Sequence, residues 1–202
     1  MDIQTLQAIH FYGDSLTAGY GAAPADGWIP RLSHRFPALT LYNHGVCGAF
    51  FSDILEDAWT VVHYPAPGEA LFLMGGTNDL LSGIRYEALT VTAQEEIQKL
   101  SAKIPLLLGI PPLMTRASIT AGWQAEWQYD KNDRDLRRYG DFLRDLAAGL
   151  SIPVIDFQKN FPADDRYYDD GSHPNAKGYA LFAETAAPVI EALIKKGEVL
   201  ST

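Results

Sequence analysis

The stretch Ala8-Ile9-His10-Phe11-Tyr12-Gly13-Asp14-Ser15-Leu16 sets the pattern from which the fold is inferred. Its first part, Ala8–Tyr12, is mostly apolar and too short for a stable helix, and Gly13 closes it with a turn signal. We therefore predict a buried β-strand over Ala8–Tyr12. A polar segment that contains Ser15 follows directly at the carboxyl end of that strand.

The same pattern recurs along the chain as short apolar runs that end in turn residues. Further strands are predicted over Leu39–Tyr42, Ala70–Met74, Ile104–Ile110 and Ile152–Phe157. Helical periodicity is found over Gly27–Phe36, Ser52–His63 with Ser52 as N-cap, Tyr86–Ala102, Gly122–Leu150 and Asn175–Lys196. This alternation is typical of an α/β protein whose parallel sheet carries helices on both faces. The carboxyl ends of the strands then meet at one edge, where such sheets bind ligands.

Composition places the chain among ordinary globular proteins and excludes several functions. Its 202 residues are 47% hydrophobic and 20% charged, which fits one domain over residues 1–202. The net charge of −9 opposes binding to nucleic acids or anionic lipids, so neither partner is expected. No apolar run is long enough for membrane insertion, and residues 1–7 lack a signal-peptide pattern, so a cytoplasmic location is expected. Cys47 is the only cysteine; it can form no internal disulfide and is expected to be partly buried.

Four polar segments fall where the predicted edge of the sheet would gather them. They are Gly13-Asp14-Ser15-Leu16, Gly45-Val46-Cys47-Gly48, Gly76-Thr77-Asn78-Asp79 and, before the last helix, Asp170-Gly171-Ser172-His173. Each contains residue types that acyl-transfer chemistry uses. Asp14 and Asp79 are interpreted as structural, because an aspartate in a turn commonly accepts hydrogen bonds from nearby backbone N–H groups.

The last segment supplies the base that a serine nucleophile needs. A hydroxyl attacks a carbonyl only when a base takes its proton, and histidine suits that task near neutral pH. The imidazole needs a carboxylate to fix its tautomer and to stabilise its charged form. Asp170 precedes His173 by three residues, with Gly171 between them, so the carboxylate can turn back towards Nδ1 of the imidazole.

The other segments supply donors for the negative charge that develops on the carbonyl oxygen. Preorganised donors of this kind contribute roughly 3–4 kcal/mol each to catalysis. The candidates are the backbone N–H of Ser15, the backbone N–H of Gly48 and the side-chain amide of Asn78. Gly45 lies in the same segment as Gly48 and is the alternative at that position.

Together, the four segments resemble the signature blocks of the SGNH (GDSL-type) hydrolase superfamily, in the family's order and across residues 11–175. The resemblance implies a three-layer α/β/α sandwich with a flavodoxin-like, five-stranded parallel sheet of order 2-1-3-4-5. It implies a catalytic triad of Ser15, Asp170 and His173. It also implies an oxyanion hole from Ser15, Gly48 and Asn78; Gly48 is preferred to Gly45 because Asn43 and its surroundings then match the family's pattern.

The expected activity is hydrolysis of small carboxylic esters (short-chain acyl, aryl or acetyl-sugar) through an acyl-serine intermediate, without metal or cofactor. Thioesterase, lysophospholipase or acyltransferase activity at the same site is the alternative. The alternatives from other classes are a non-catalytic carbohydrate-binding relative and a flavin-binding electron carrier. The latter explains neither Asn78 nor the Asp170 and His173 pair. Aromatic side chains that could line the substrate pocket are Tyr20, Trp123, Trp127 and Tyr167, with Trp123 and Trp127 expected on one helix face.

Overall fold

The structure is a computed structural model that describes residues 6–199, with side chains as far as residue 195. This part of the chain contains one sheet of five parallel strands in the order β2-β1-β3-β4-β5. The strands are β1 (Ala8–Gly13), β2 (Thr40–Gly45), β3 (Glu69–Met74), β4 (Leu106–Ile110) and β5 (Val154–Asp156). The predicted α/β/α sandwich with a flavodoxin-like strand order is confirmed.

Helices follow the strands and cover both faces of the sheet. They are α1 (Ser15–Ala18), α2 (Trp28–Arg35), α3 (Phe51–Val62), α4 (Thr77–Leu81), α5 (Tyr86–Ser101), α6 (Ala117–Thr120), α7 (Glu126–Leu150), α8 (Phe157–Asn160) and α9 (Ala176–Val199). Short 3-10 turns occur at Pro24–Asp26 and Asp165–Tyr167. None of the described helices is long and apolar enough to cross a membrane.

Strand periodicity divides the core into two layers. On β3, Leu71 and Leu73 point towards α3, α5 and α7, whereas Phe72 and Met74 point towards α2 and α9. All four side chains are almost completely buried. Because side chains alternate across a strand, a strand that is apolar at every position has to be covered on both sides.

The register of the central strands brings three of the polar segments to one level. Gly13 at the end of β1 pairs with Gly45 of β2 on one side and with Met74 of β3 on the other. The residues that follow each strand therefore leave the sheet side by side. This alignment, together with the turn before α9, builds the candidate site.

Some predicted boundaries were wrong, and local chemistry gives the reasons. Strand β5 ends before Phe157, because the Asp156 carboxylate accepts a hydrogen bond from Lys159 N and starts the short helix α8. Helix α3 begins at Phe51, one residue earlier than expected, and Ser52 is not its N-cap. Strand β4 begins at Leu106 rather than at Ile104.

Helix α7 begins at Glu126, four residues later than the predicted start at Gly122. Gly122 has a φ of +85°, which is not helical, and a short turn separates α6 from α7. Trp123 consequently lies outside the helix, while Trp127 lies inside it. The expectation that the two tryptophans share a helix face is therefore wrong.

Candidate active site

Ser15 is the first residue of α1, directly beyond the carboxyl end of β1. Its side chain is buried, and its Oγ lies 3.0 Å from Nε2 of His173, although the two residues are 158 positions apart in the sequence. The Asp14 carboxylate caps the short helix by accepting a hydrogen bond of 2.9 Å from Leu16 N. The cap fixes the backbone on both sides of Ser15.

His173 is held by Asp170 across the turn that precedes α9. Its Nδ1 lies 2.8 Å from Asp170 Oδ2, and the other oxygen, Oδ1, accepts hydrogen bonds from the backbone N–H groups of Ser172 and His173 at 2.9 and 2.7 Å. Burial acts to raise the pKa of Asp170, but its hydrogen bonds with His173 and Ser172 outweigh this and hold the pKa below its usual range. The arrangement therefore keeps a negative charge beside the imidazole.

The Gly48 loop and Asn78 face the same space. Gly48 has a φ of +80°, a backbone conformation that favours glycine, and open space surrounds the position that a Cβ would occupy. The Asn78 amide donates a hydrogen bond of 2.9 Å to Ala49 O. Because an amide group carries two hydrogens, a second donor remains for an acceptor in the cavity. Gly45, the alternative to Gly48, is the last residue of β2.

The loop that carries Gly48 is also fixed by Asp79, whose Oδ2 accepts a hydrogen bond of 2.9 Å from Phe51 N. Asn78 and Asp79, two adjacent residues at the start of α4, thus hold the 49–51 backbone at two points. Burial raises the pKa of Asp79, and its hydrogen bond with Phe51 opposes that rise. The expected structural function of Asp79, acceptance of a backbone N–H, is observed.

Asp14 directly precedes Ser15 in the sequence, and its side chain is fully buried. Burial raises its pKa from the ordinary 3.8 to about 7, and the neighbouring charge of Asp79 contributes to the rise. Its Oδ1 accepts the Leu16 N–H, whereas Oδ2 has no hydrogen-bond partner among the described residues. The Asp14 side chain is thus a buried structural group that can be protonated near neutral pH.

A cavity of about 240 Å³ joins these groups. It is lined by the serine, the histidine and the two donor residues just described, and by several apolar side chains. The full lining is Asp14, Ser15, Leu16, Tyr20, Cys47, Gly48, Thr77, Asn78, Leu81, Trp123, Ser172 and His173. The cavity is smaller than the ~300–1,000 Å³ usual for ligand pockets.

Of the four aromatic residues expected to line the substrate pocket, two line the cavity and two lie elsewhere. Tyr20 and Trp123 line the cavity and both contact the His173 ring, with ring-centroid distances of 4.6 and 4.8 Å. Trp127 is 79% exposed on α7 and is not part of the lining. Tyr167 packs against Phe161 and lies elsewhere as well. For Trp127 and Tyr167 the expected place at the pocket is therefore corrected.

Three features of the site were not foreseen. Cys47 was expected to be partly buried, but it is exposed, and it lines the cavity. Leu81 adds an apolar wall from the end of α4. Trp123 does more than line the cavity: its indole Nε1–H donates a hydrogen bond of 2.7 Å to Asp170 Oδ2. No spacing rule connects residues 123 and 170, so only the folded chain could reveal this contact.

Metal ligation has no evident place in this site. In the part of the chain that the structure describes, no three His, Cys, Asp or Glu side chains form a group that could hold a metal ion. The polar groups at the cavity are instead arranged as a hydroxyl, an imidazole, a carboxylate and neutral donors. This set is suited to nucleophilic attack on a carbonyl group.

The chain is similar to known proteins over most of its length. A family model described as "GDSL-like Lipase/Acylhydrolase family" matches residues 11–181. Among curated proteins, the chain is 22% identical over 185 residues to "Thioesterase 1/protease 1/lysophospholipase L1" of Escherichia coli (strain K12). That match covers 90% of this chain and 82% of the relative.

Solved structures show the same fold. A member of the lipolytic protein G-D-S-L family from Veillonella parvula superposes with a TM-score of 0.78 at 26% identity, covering 92% of this chain and 98% of the other. A carbohydrate acetylesterase family member from Sinorhizobium meliloti superposes with a TM-score of 0.76 at 19% identity, covering 94% of this chain and all of the other.

Proposed function

Because the chain belongs to the GDSL-like lipase/acylhydrolase family and is a carboxylic ester hydrolase, we propose that it cleaves small esters through an acyl intermediate on Ser15. The observation that carries the proposal is the chain of contacts from Ser15 Oγ to His173 Nε2, at 3.0 Å, and from His173 Nδ1 to Asp170 Oδ2, at 2.8 Å. These contacts end at a cavity that also holds neutral hydrogen-bond donors.

The proposed reaction proceeds in two steps. Ser15 Oγ attacks the ester carbonyl carbon while His173 Nε2 takes the hydroxyl proton, and the alcohol leaves with that proton. Water then attacks the acyl-serine with His173 as base, which releases the acid and restores the hydroxyl. Asp170 orients the imidazole and stabilises its charged form in both steps.

The oxyanion of each tetrahedral intermediate is assigned to three donors, namely the backbone N–H groups of Ser15 and Gly48 and the amide of Asn78. This assignment is supported by hydrogen bonding that orients the donors. The Asn78 amide donates a hydrogen bond of 2.9 Å to Ala49 O, so it is oriented before substrate enters. Donors that are already oriented need no reorganisation when charge develops, and this makes them effective.

The size of the cavity supports a small acyl group. Its volume of about 240 Å³ and its walls from Tyr20, Leu81 and Trp123 suit a short, apolar acyl chain. The net charge of −9 also disfavours an anionic membrane surface as the source of substrate. Short-chain acyl, aryl and acetyl-sugar esters are therefore the proposed substrates. The printed name of the E. coli relative makes thioesters and lysophospholipids the second candidates.

A rate series over acyl length tests this proposal. We expect kcat/KM for p-nitrophenyl esters to be highest with acetyl or butyryl groups and to fall steeply for octanoyl and palmitoyl groups. Acetylated xylose and an acyl thioester are included in the same series. A maximum at palmitoyl, or a clear preference for the thioester, would contradict the proposed substrate class.

The Ser15→Ala variant shows whether the measured turnover belongs to this site. We expect its turnover to fall to background, with an unchanged thermal unfolding midpoint. Ser82→Ala is the matched control, because Ser82 is exposed at the end of α4 and does not line the cavity. Retention of turnover in Ser15→Ala would contradict the proposed mechanism.

A further inference from the structure

Trp123 donates to the same carboxylate oxygen that accepts from the catalytic imidazole. Its Nε1–H lies 2.7 Å from Asp170 Oδ2, and His173 Nδ1 lies 2.8 Å from that atom. The other oxygen accepts two backbone N–H groups, from Ser172 and His173. A carboxylate offers about four acceptor positions, so Trp123 completes the set around Asp170.

The Trp123 ring also contacts the imidazole. The ring centroids lie 4.8 Å apart with an angle of 73° between the planes, and Tyr20 makes a similar edge contact at 4.6 Å. His173 itself is only 6% exposed. Trp123 contacts both Asp170 and His173, so the part of its ring that lies against them excludes water there, while 43% of the residue remains exposed. Electrostatic interactions strengthen where water is excluded.

The backbone at Trp123 is held by a chain of buried polar groups. Trp123 N donates to Ser118 O at 3.0 Å, Gln124 Nε2 donates to Ser118 Oγ at 2.8 Å, and Asn132 Nδ2 donates to Gln124 Oε1 at 2.9 Å. Ser118, Gln124 and Asn132 are each less than one-tenth exposed. A buried network that is bonded along its length rigidifies the segment it supports.

This segment is also built against the turn that carries Asp170. Thr115 N donates to Gly171 O at 2.8 Å. Gly171 has a φ of +82°, and a Cβ at this position would lie 2.2 Å from Ser118 N, so no side chain fits there. The approach of the two segments therefore depends on the glycine between the aspartate and the histidine. This approach of the two segments sets the distance from the Trp123 indole to the Asp170 carboxylate.

We propose that Trp123 is a positioning residue that fixes the Asp170 carboxylate towards His173 through its indole N–H and shields the pair from water. The proposal rests on the proposed hydrolysis at Ser15. A carboxylate can rotate about its Cβ–Cγ bond, and a second donor to Oδ2 further restricts that rotation. Trp123 thereby acts on the reaction through Asp170, in addition to forming a wall of the cavity.

The Trp123→Phe variant removes the donor and keeps an aromatic ring. We expect kcat to fall at least about fivefold, because a hydrogen bond to a charged group is lost, while KM changes by less than about threefold. The acid limb of the kcat/KM pH profile should move to lower pH. The reason is that a carboxylate no longer held towards the imidazole stabilises its protonated form less. Asp14, Tyr20 and Cys47, the other titratable side chains at the cavity, are unchanged in this variant.

Trp127→Phe is the matched control, since Trp127 is 79% exposed and does not line the cavity. We expect it to keep the wild-type kcat and pH profile. Thermal unfolding midpoints are measured for both variants, and Trp123 is exposed enough that its replacement by phenylalanine should leave the fold intact. A fall in kcat with an unmoved acid limb would indicate a purely structural function and would overturn the proposal.

Ser15→Ala, assayed in parallel, keeps this proposal separate from the proposed function. If Ser15→Ala is inactive and Trp123→Phe matches the wild type in kcat and pH profile, positioning by Trp123 is wrong and the hydrolytic mechanism stands. If Ser15→Ala remains active, the proposed function itself is wrong. If Ser15→Ala is inactive and Trp123→Phe shows both the lower kcat and the shifted limb, both proposals are supported.

Discussion

Two aspartates lie on either side of the contact between Ser15 and His173, and their surroundings differ. Asp170 accepts hydrogen bonds at both oxygens and has a pKa held below the usual range. Asp14 is fully buried, and only its Oδ1 has a hydrogen-bond partner among the described residues. Burial raises its pKa to about 7. The surroundings thus favour the charged form of Asp170 and the neutral form of Asp14.

The difference follows from what each carboxyl group contacts. In the proposed mechanism the imidazole that Asp170 contacts becomes positively charged, so a permanent negative charge there is useful. Asp14 faces backbone and the neighbouring Asp79, and a second negative charge there would be unfavourable. The comparison teaches that the number and kind of hydrogen-bond donors, more than proximity to the proposed nucleophile, distinguish the aspartate assigned to catalysis from the one assigned a structural function.

The largest expected effect is that of Asp170→Asn. An asparagine preserves the shape but can hold the imidazole in the wrong tautomer and cannot stabilise its charge, so kcat should fall about 10³–10⁴-fold. Steady-state kinetics with p-nitrophenyl acetate measure the change. The exposed neighbour Asp169 provides the control, and Asp169→Asn should remain within about twofold of the wild type. A loss of less than tenfold in Asp170→Asn would break the comparison.

A smaller effect, on stability, is expected from Asp14→Asn. Since the pKa of Asp14 is raised from 3.8 to about 7 in the folded protein, the folded state binds this proton more tightly than the unfolded state does. Asp14 therefore makes the protein less stable as pH rises from about 4 to about 7, by at most about 1.4 kcal/mol per pH unit. Asparagine cannot ionise, so the free energy of unfolding of the variant should increase relative to the wild type over that range.

Urea denaturation at about pH 5 and about pH 8 measures this difference. The control is Asp145→Asn on the exposed side of α7, which should keep the wild-type pH dependence. If Asp14→Asn and the wild type show parallel pH dependences, Asp14 is already charged in the folded protein. The contrast with Asp170 would then be wrong.

Sequence patterns were sufficient for the sheet because its strands are apolar runs with clear ends. They also singled out Ser15 and the turn from Asp170 to His173, which stand at strand ends or helix starts and which the structure brings into contact. Patterns failed where one local interaction decides a boundary. The Asp156 cap shortens β5, and the positive φ of Gly122 delays the start of α7.

At the site itself, the aromatic residues show the same limit of sequence patterns. Helical spacing paired Trp123 with Trp127, yet one contacts Asp170 and the other faces solvent. The position of Trp123 depends on Ser118, Gln124 and Asn132, three residues whose hydrogen bonds no periodicity predicts. Tertiary contacts between distant segments determine such details, and spacing along the chain does not contain them.

The central claim, that Ser15 is the nucleophile of an acyl-enzyme mechanism, is tested most directly by covalent labelling. The protein is treated with a fluorophosphonate, digested, and analysed by mass spectrometry. We predict one phosphonate adduct, on the peptide that contains Ser15, with none in Ser15→Ala and much slower labelling in Asp170→Asn. An adduct on another serine, or undiminished labelling of Ser15→Ala, would contradict the account.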